Sequence, residues 1–267
     1  MGDKVQGTLV IIGGAEDKKN KCEILSKVAE LAGKRDANLV IMTAATEMPE
    51  VVGEEYRRIF TRLGVEKISV MNIASRKEAN DESYLKCIEE ATGVFFTGGD
   101  QLRITSLLGG TKVYQKLHEA YKRGVVIAGT SAGASVMSAT MIVEGDSEKA
   151  PQKNTLKMAP GMGLIHGVVV DQHFAQRGRL GRLLTAVAQN PYVLGIGIDE
   201  DTAIVVGANE RFEVYGSQTV TVVDGEQITS TNVFESKPDE FLTLTNVRLH
   251  VLAAGAGYDL HNRIPLL

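Results

Sequence analysis

A serine lies at the apex of a predicted turn between a buried strand and a helix. The five residues Gly129-Thr-Ser-Ala-Gly133 fit the G-x-S-x-G pattern, in which small neighbours let a strained backbone hold the serine hydroxyl out of the sheet. The next residue begins the predicted helix, so the Ala132 N–H can face a developing oxyanion. A plain structural turn has the same letters, but the apolar strand before it and the helix after it favour a nucleophilic Ser131.

Polar residues follow three further predicted strands in the same way. A Gly98-Gly99 pair, His173 and Glu200 each come just after a strand. The strands are residues 93–97, 167–171 and 194–198. Ligands of open α/β sheets bind beyond the carboxyl ends of the strands, so we expect these residues to meet Ser131 at one edge. Together they supply the nucleophile, base, orienting acid and oxyanion donors of acyl transfer.

The base must be chosen from five histidines. Three of them fit surface or already satisfied positions: His118, His250 and His261. His166 and His173 flank the same predicted strand and, at about 3.3 Å per residue, lie roughly 20 Å apart, so only one of them can face Ser131. Parallel pairing of that strand selects His173.

The sequence leaves the acid more open. Carboxylates occupy all three positions 199–201, and we favour Glu200 as the partner of His173. A second group of carboxylates follows the helix after Ser131: Glu144, Asp146 and Glu148. Both groups are candidates for the side chain that orients the imidazole.

Three arginines lie at the start of a predicted helix close to His173. They are part of the run Asp171-Gln-His-Phe-Ala-Gln-Arg177-Gly-Arg179-Leu-Gly-Arg182. Cations at a helix N-terminus oppose the helix dipole, so a compensating anion is expected unless these side chains are simply solvated. An anionic substrate can supply it, because guanidinium groups bind carboxylates in a bidentate manner. Asp171 could in turn receive a guanidinium or an amine, which predicts a substrate that carries both signs of charge.

Composition restricts the class of protein. The chain has 267 residues, 43% of them hydrophobic, and shows no repeat or composition break, which favours one α/β domain over residues 1–267. No apolar run approaches the roughly 18 residues of a membrane span and no signal-peptide pattern is present, so we expect a cytoplasmic protein with no membrane partner. The net charge of −4 argues against a nucleic-acid partner. Cys22 and Cys87 lack metal-ligand spacing, and we expect no metal and no cofactor.

The order of predicted elements indicates the fold class. Apolar strands alternate with amphipathic helices through residue 130, which predicts a mostly parallel sheet with helices on both faces. Beyond residue 200, short strands with turn signals such as Asp224-Gly225 predict antiparallel strands at the edge of that sheet. Residues 149–161 are predicted to form an ordered loop.

Several segments together resemble the cyanophycinases, serine peptidases of the group that includes dipeptidase E. The resemblance covers nearly the whole chain, and it is carried by Phe96-Thr-Gly-Gly-Asp-Gln101, Gly129-Thr-Ser-Ala-Gly-Ala134, Met141-Ile-Val-Glu-Gly145, Asp171-Gln-His-Phe174, Gly195-Ile-Gly-Ile-Asp-Glu200 and Gly257-Tyr-Asp-Leu260. It implies a flavodoxin-like or amidotransferase-like fold, usually as a homodimer. It also implies cytoplasmic hydrolysis of cyanophycin, a poly-aspartate with arginine on its β-carboxyls, to β-aspartyl-arginine dipeptides.

The resemblance implies a role for each matching residue. Ser131 is the nucleophile, His173 the base and Glu200 the acid of a triad that works through an acyl-enzyme. The N–H groups of Gly99 and Ala132 form the oxyanion hole. The substrate pocket is formed by six further residues: Gln101, Asp171, Gln172, Arg177, Arg179 and Arg182. The dipeptidase branch places its acid sooner after the serine, which keeps the earlier group of carboxylates open.

Two other functions share parts of this pattern. A different hydrolase, either an α-aspartyl dipeptidase or an esterase, would use the same serine turn. The α/β-hydrolase order of serine, acid and histidine fits poorly, because only His250 and His261 follow Glu200. A non-enzymatic flavodoxin-like module could instead bind an anion at Gly13-Gly14 and Gly98-Gly99.

Overall fold

Five parallel strands form one side of a nine-stranded sheet. They are β1 (Leu9–Ile12), β2 (Asn38–Met42), β3 (Lys67–Met71), β4 (Gly93–Phe96) and β5 (Val126–Thr130). Their order across the sheet is β1-β5-β4-β2-β3, and Ile12 of β1 lies opposite Thr130 of β5. The prediction of a mostly parallel sheet is confirmed in this computed structural model, which describes residues 7–147, 149–153 and 156–267.

Helices cover both faces of this sheet. The α-helices of the described chain are α1 (Glu23–Ala32), α2 (Pro49–Arg62), α3 (Glu82–Glu90), α4 (Gln101–Leu108), α5 (Lys112–Arg123), α6 (Ala132–Ser135) and α7 (Leu180–Gln189). Successive side chains of a strand point to opposite faces, so Val10 and Ile12 pack with α1 and α2. Leu9 and Ile11 belong to the core cluster that contains residues of α3, α4 and α5. No helix of the described residues is long and apolar enough to cross a membrane.

A hairpin follows the short helix α6. β6 (Thr140–Gly145) and β7 (Leu156–Pro160) pair in antiparallel fashion, with a register shift between Ile142 and Glu144. The prediction of a loop over residues 149–161 is therefore wrong for residues 156–160. The segment carries a lysine and ends in proline, so its local β-propensity is weak, and the pairing with β6 decides its conformation.

The next two strands belong to a second sheet. β8 (Val168–Asp171) and β9 (Leu194–Ile198) pair in parallel with each other, whereas β10 (Thr202–Val206) returns to the nine-stranded sheet and runs antiparallel to β1. Since β10 takes the free edge of β1, neither β8 nor β9 can extend the parallel strands there.

Most of the remaining strands are divided between the two sheets, and two short ones form a small sheet of their own. β11 (Arg211–Gly216) pairs with β10, and β12 (Thr219–Asp224) pairs with β9. The short strands β13 (Ser230–Thr231) and β14 (Leu244–Thr245) pair with each other, and β15 (Arg248–Ala253) completes the second sheet beside β12. β16 (Gly257–Asp259) and β17 (Ile264–Leu266) complete the first sheet beyond β11. The predicted antiparallel edge is thus confirmed for β10 and β11, but β12 and β15 lie in the second sheet.

One apolar cluster is shared by the two sheets. It contains Ile204 and Val206 of β10 together with Ile196, Val220 and Leu252 of the second sheet. A shared core of this kind is typical of a single domain, and one domain over residues 1–267 stays a prediction.

Candidate active site

The predicted serine turn follows β5 directly. Ser131 has φ 54° and ψ −112°, a backbone conformation that residues other than glycine rarely adopt, and α6 begins at the next residue. Its backbone N–H donates to the Ile12 carbonyl at 3.0 Å. Gly129 is required by crowding, because a Cβ there would lie 2.4 Å from the carbonyl oxygen of Gly133. The turn therefore holds the Ser131 side chain in a fixed and strained position.

A chain of hydrogen bonds joins Ser131, His173 and Glu200. Ser131 Oγ lies 3.1 Å from His173 Nε2, and His173 Nδ1 lies 2.6 Å from Glu200 Oε1. The side chains of His173 and Glu200 are 12% and 33% exposed. An Nδ1–H that donates to the carboxylate leaves the Nε2 lone pair free to accept the serine proton, which is the arrangement of a nucleophile, a general base and an orienting acid.

The three consecutive carboxylates after β9 have different partners. Asp199 accepts from the Thr219 hydroxyl at 2.7 Å, and Asp201 accepts from the Ser217 hydroxyl at 2.8 Å. Of these three, Glu200 alone is bonded to His173. The structure therefore brings the favoured member of this group to the imidazole.

The other candidates for acid and base lie elsewhere. Asp146 forms an exposed ion pair with Lys149 at 2.8 Å, and Glu148 lies outside the described residues. His166 precedes β8 and lines a separate cavity of about 1270 Å³, together with Val168 and Leu194 at the first residues of β8 and β9. His166 and His173 are thus at opposite ends of β8.

The turn after β1 supports the His173 imidazole. This contact was not predicted from the sequence. The His173 N–H donates to the Gly13 carbonyl at 2.7 Å, and a Cβ on Gly14 would lie 2.4 Å from His173 Cε1. Any side chain at position 14 would therefore displace the ring. The sequence does contain a glycine pair, Gly13-Gly14, at the end of the strand, but such a pair is equally typical of an anion-binding turn.

The two N–H groups that the resemblance assigns to the oxyanion hole have no acceptor within the described residues. They belong to Gly99 and Ala132. The turn after β4 lies against the serine, because a Cβ on Gly98 would be 3.4 Å from Ser131 Cβ. Unpaired N–H groups beside a nucleophile are available to a developing oxyanion.

Asp171 is the anion that compensates the arginines after β8. It is 1% exposed, Arg182 donates to both of its oxygens, through Nε at 2.6 Å and through Nη2, and Arg179 Nη1 donates to Oδ1 at 3.2 Å. A buried carboxylate requires partners of this kind. From the sequence, the compensating anion could belong to a substrate, and Asp171 could receive a guanidinium or an amine of that substrate. The structure places both roles within the chain.

The remaining predicted pocket residues differ in how freely their polar groups can bind a ligand. Arg177 is exposed, and its side chain has no hydrogen bond or ion pair in the described part of the chain. Arg179 is 7% exposed, and its Nε lacks an acceptor among the described residues. Gln172 Oε1 lies 3.5 Å from Ser131 Oγ, whereas Gln101 Nε2 donates to the carbonyls of Ile142 and Val143 in β6.

The electrostatic surroundings favour a neutral imidazole. Burial lowers the pKa of His173 below its usual value, the charges of Arg177 and Arg179 lower it further, and the hydrogen bond to Glu200 opposes this shift. Burial, reinforced by Arg182 and Arg177, also lowers the pKa of Arg179 to about 10, so Arg179 stays charged near neutral pH. A histidine that is neutral near pH 7 can act as a general base.

Arg177→Gln is expected to shift the acid limb of the pH profile of kcat/KM to higher pH. Removal of a positive charge favours the imidazolium, so the pKa of His173 rises and the base is protonated at a higher pH. The profile should be measured at low ionic strength on a small neutral activated ester, which has no charge for Arg177 to bind. Arg35→Gln removes an exposed arginine that is not among the charges acting on His173, and is the control. An unchanged limb in Arg177→Gln would show that this charge does not act on the base.

No group of three or more His, Cys, Asp or Glu side chains in the described residues is arranged to hold a metal ion.

The chain is similar to characterised groups of peptidases. Residues 9–214 match Peptidase family S51. A cyanophycinase of Geminocystis herdmanii is 40% identical over 267 residues, which cover 100% of this chain and 98% of that protein. A cyanophycinase of Trichormus variabilis is 41% identical over 259 residues, which cover 97% of this chain and 87% of that protein.

Solved structures show the same fold. A peptidase from an acI-B1 actinobacterium superposes with a TM-score of 0.64 at 22% identity, covering 92% of this chain and 98% of the other. A putative peptidase E protein of Listeria monocytogenes has a TM-score of 0.57 at 14% identity, covering 80% and 100%. With the family match over most of its length and relatives at about 40% identity, the chain belongs to peptidase family S51 and is a serine peptidase.

Proposed function

We propose that this peptidase hydrolyses cyanophycin from its ends to β-aspartyl-arginine dipeptides, as a cytoplasmic homodimer. The observation that carries the proposal is the hydrogen-bonded chain from Ser131 through His173 to Glu200, in a protein whose relatives at about 40% identity over nearly the full length are named cyanophycinases. The non-enzymatic alternative is contradicted by membership of a peptidase family. An α-aspartyl dipeptidase is the competing activity, because it would use the same chain of residues.

The reaction proceeds in two steps in this proposal. Ser131 Oγ attacks the scissile carbonyl carbon while His173 Nε2 takes the hydroxyl proton, and Glu200 stabilises the imidazolium through Nδ1–H. The N–H groups of Gly99 and Ala132 donate to the oxyanion. His173 then gives the proton to the leaving amine, which departs and leaves an ester on Ser131. Water attacks this acyl-enzyme with His173 again as base, which releases the acid and restores the serine.

The three arginines have different roles in substrate recognition in this proposal, because they differ in their partners within the chain. Arg177 is the exposed member of the group and has no side-chain partner among the described residues, so we assign to it the binding of a carboxylate of the substrate. Arg179 and Arg182 are held by Asp171, which fixes the direction of their remaining N–H groups. In this proposal Asp171 positions arginines and does not itself receive the arginine branch. Gln101 and Gln172 complete the pocket beside α4 and Ser131.

Digestion of purified cyanophycin tests the proposal. Mass spectrometry is expected to find β-aspartyl-arginine as the main product, and unbranched poly-aspartate, which cannot yield this dipeptide, is the comparison polymer. The same enzyme should be incubated with α-aspartyl dipeptides as a matched competitor substrate. Release of free aspartate from those dipeptides with the polymer left intact would assign the dipeptidase activity instead.

A further inference from the structure

The last residue of β1 and the turn after it are bonded to two members of the proposed triad and to the neighbour of the third. Carbonyls of three consecutive residues accept backbone hydrogen bonds: Ile12 from Ser131 at 3.0 Å, Gly13 from His173 at 2.7 Å and Gly14 from Asp201, next to Glu200, at 2.9 Å. Ser131 follows a strand of the first sheet, while His173 and Glu200 follow strands of the second. This segment therefore sets the spacing between groups that come from different sheets.

A buried carboxylate lies in the same segment and takes no part in the reaction described above. Glu16 is 4% exposed, and each of its two oxygens accepts one hydroxyl. Oε2 accepts from Thr130 Oγ1 at 2.5 Å, and Oε1 accepts from Tyr56 OH at 2.5 Å. Burial and the adjacent Glu16 raise the pKa of Tyr56 well above its usual value, so the phenol remains a donor. The carboxylate is fixed between α2 and the end of β5.

Thr130 immediately precedes the strained residue Ser131. A backbone in a sparsely populated conformation persists only when its surroundings hold it there on several sides. The Ser131 N–H is held by Ile12, and the side chain before it is held by Glu16. Loss of the second restraint would let the turn relax, and a displacement of about 1 Å at a reacting group can cost about 10²-fold in rate.

We propose that Glu16, acting through Thr130, is a positioning residue that keeps Ser131 Oγ within hydrogen-bonding distance of His173 Nε2. The inference rests on the proposed role of Ser131 as nucleophile. A purely structural bridge between α2 and the sheet is the competing explanation, and it predicts an effect on stability without an effect on the reactivity of the serine.

Substitutions at Thr130 separate the two explanations. Thr130→Val keeps the shape and removes the hydroxyl, whereas Thr130→Ser keeps the hydroxyl and removes a methyl group. Thr43→Val is the matched control, since Thr43 is another buried threonine at the carboxyl end of a parallel strand, here β2. The readouts are the rate constant of Ser131 labelling by a fluorophosphonate, kcat and KM on cyanophycin, and the thermal midpoint of unfolding. All rates are measured well below that midpoint.

The expected result is a split between kcat and KM. Thr130→Val should lower both labelling and kcat by about 10²-fold with KM nearly unchanged, and Thr130→Ser should restore most of the rate. Thr43→Val should lower the midpoint without lowering the labelling rate. Equal labelling of Thr130→Val and the wild type would overturn the proposal and leave a structural bridge.

Two further results complete the test. If Thr130→Val yields no folded protein, Glu16→Ala decides, because alanine removes both acceptor oxygens, whereas the remaining oxygen of a glutamine could still accept from Thr130. A fall in labelling of about 10-fold or more with unchanged KM supports positioning, and an unchanged rate overturns it. Failure of the wild-type protein to be labelled at Ser131 would instead contradict the proposed function itself.

Discussion

Ser131→Ala is expected to lower kcat by about 10⁵ to 10⁶ while the fold and substrate binding stay intact. The hydroxyl is the group within 3.1 Å of His173 Nε2, and without it the base has no nucleophile to activate. Turnover of cyanophycin under saturating substrate is the measurement, with binding of the polymer to the variant checked separately. Near-normal turnover would contradict a serine mechanism.

His173→Ala provides the second arm of this experiment, and His166→Ala its matched control. Loss of the base should cost about as much as loss of the nucleophile, because members of a triad act as one unit. His166 lies at the other end of β8, so its removal should leave turnover nearly unchanged. Inactivity of His166→Ala together with activity of His173→Ala would exclude the proposed base.

Glu200→Gln is expected to lower kcat by about 10⁴-fold with the structure retained. The Glu200 carboxylate accepts from Nδ1–H of His173 and so leaves Nε2 free to take the serine proton. The amide of a glutamine can instead donate to Nδ1, which places the ring proton on Nε2, where it faces Ser131 and cannot accept. Loss of this hydrogen bond also removes the interaction that raises the pKa of His173, so the acid limb of the residual activity should move to lower pH.

Asp146→Asn and Glu148→Gln are the comparison for the acid. Asp146 is engaged by Lys149 on the surface, so its substitution should change kcat by less than about 3-fold, and we expect the same of Glu148. A large loss in either variant together with a small loss in Glu200→Gln would move the role of the acid to the earlier group of carboxylates.

Features set by local pattern could be predicted from the sequence. The periodicity of apolar residues defined the parallel strands and the helices around them, because 2-residue and 3.6-residue repeats reflect which face of each element is buried. The positions directly after strands identified Ser131, His173 and Glu200, and the structure joins these three side chains by hydrogen bonds.

Features set by contacts between distant segments could not be predicted. Whether β12 pairs with β9 or with the first sheet depends on which edge is free after β10 has paired with β1, and no local repeat encodes that. The partners of buried carboxylates could not be predicted either. Asp171 is paired with arginines eight and eleven residues away in a different element, and Glu16 accepts from Thr130, 114 residues away. A buried charge requires a partner, but the local sequence does not show which residue that partner is.

The division of the proposed triad between two sheets has a consequence during protein synthesis. Ser131 leaves the ribosome roughly 70 residues ahead of Glu200, which at about 5 to 20 residues per second is an interval of about 3 to 14 s. During this time the set is incomplete, because the base follows the serine by roughly 40 residues and the acid by roughly 70, and an unassisted hydroxyl is a weak nucleophile. The nascent enzyme therefore cannot cleave peptides near the ribosome, its own chain included, until the second sheet has been made and has docked on the turn after β1.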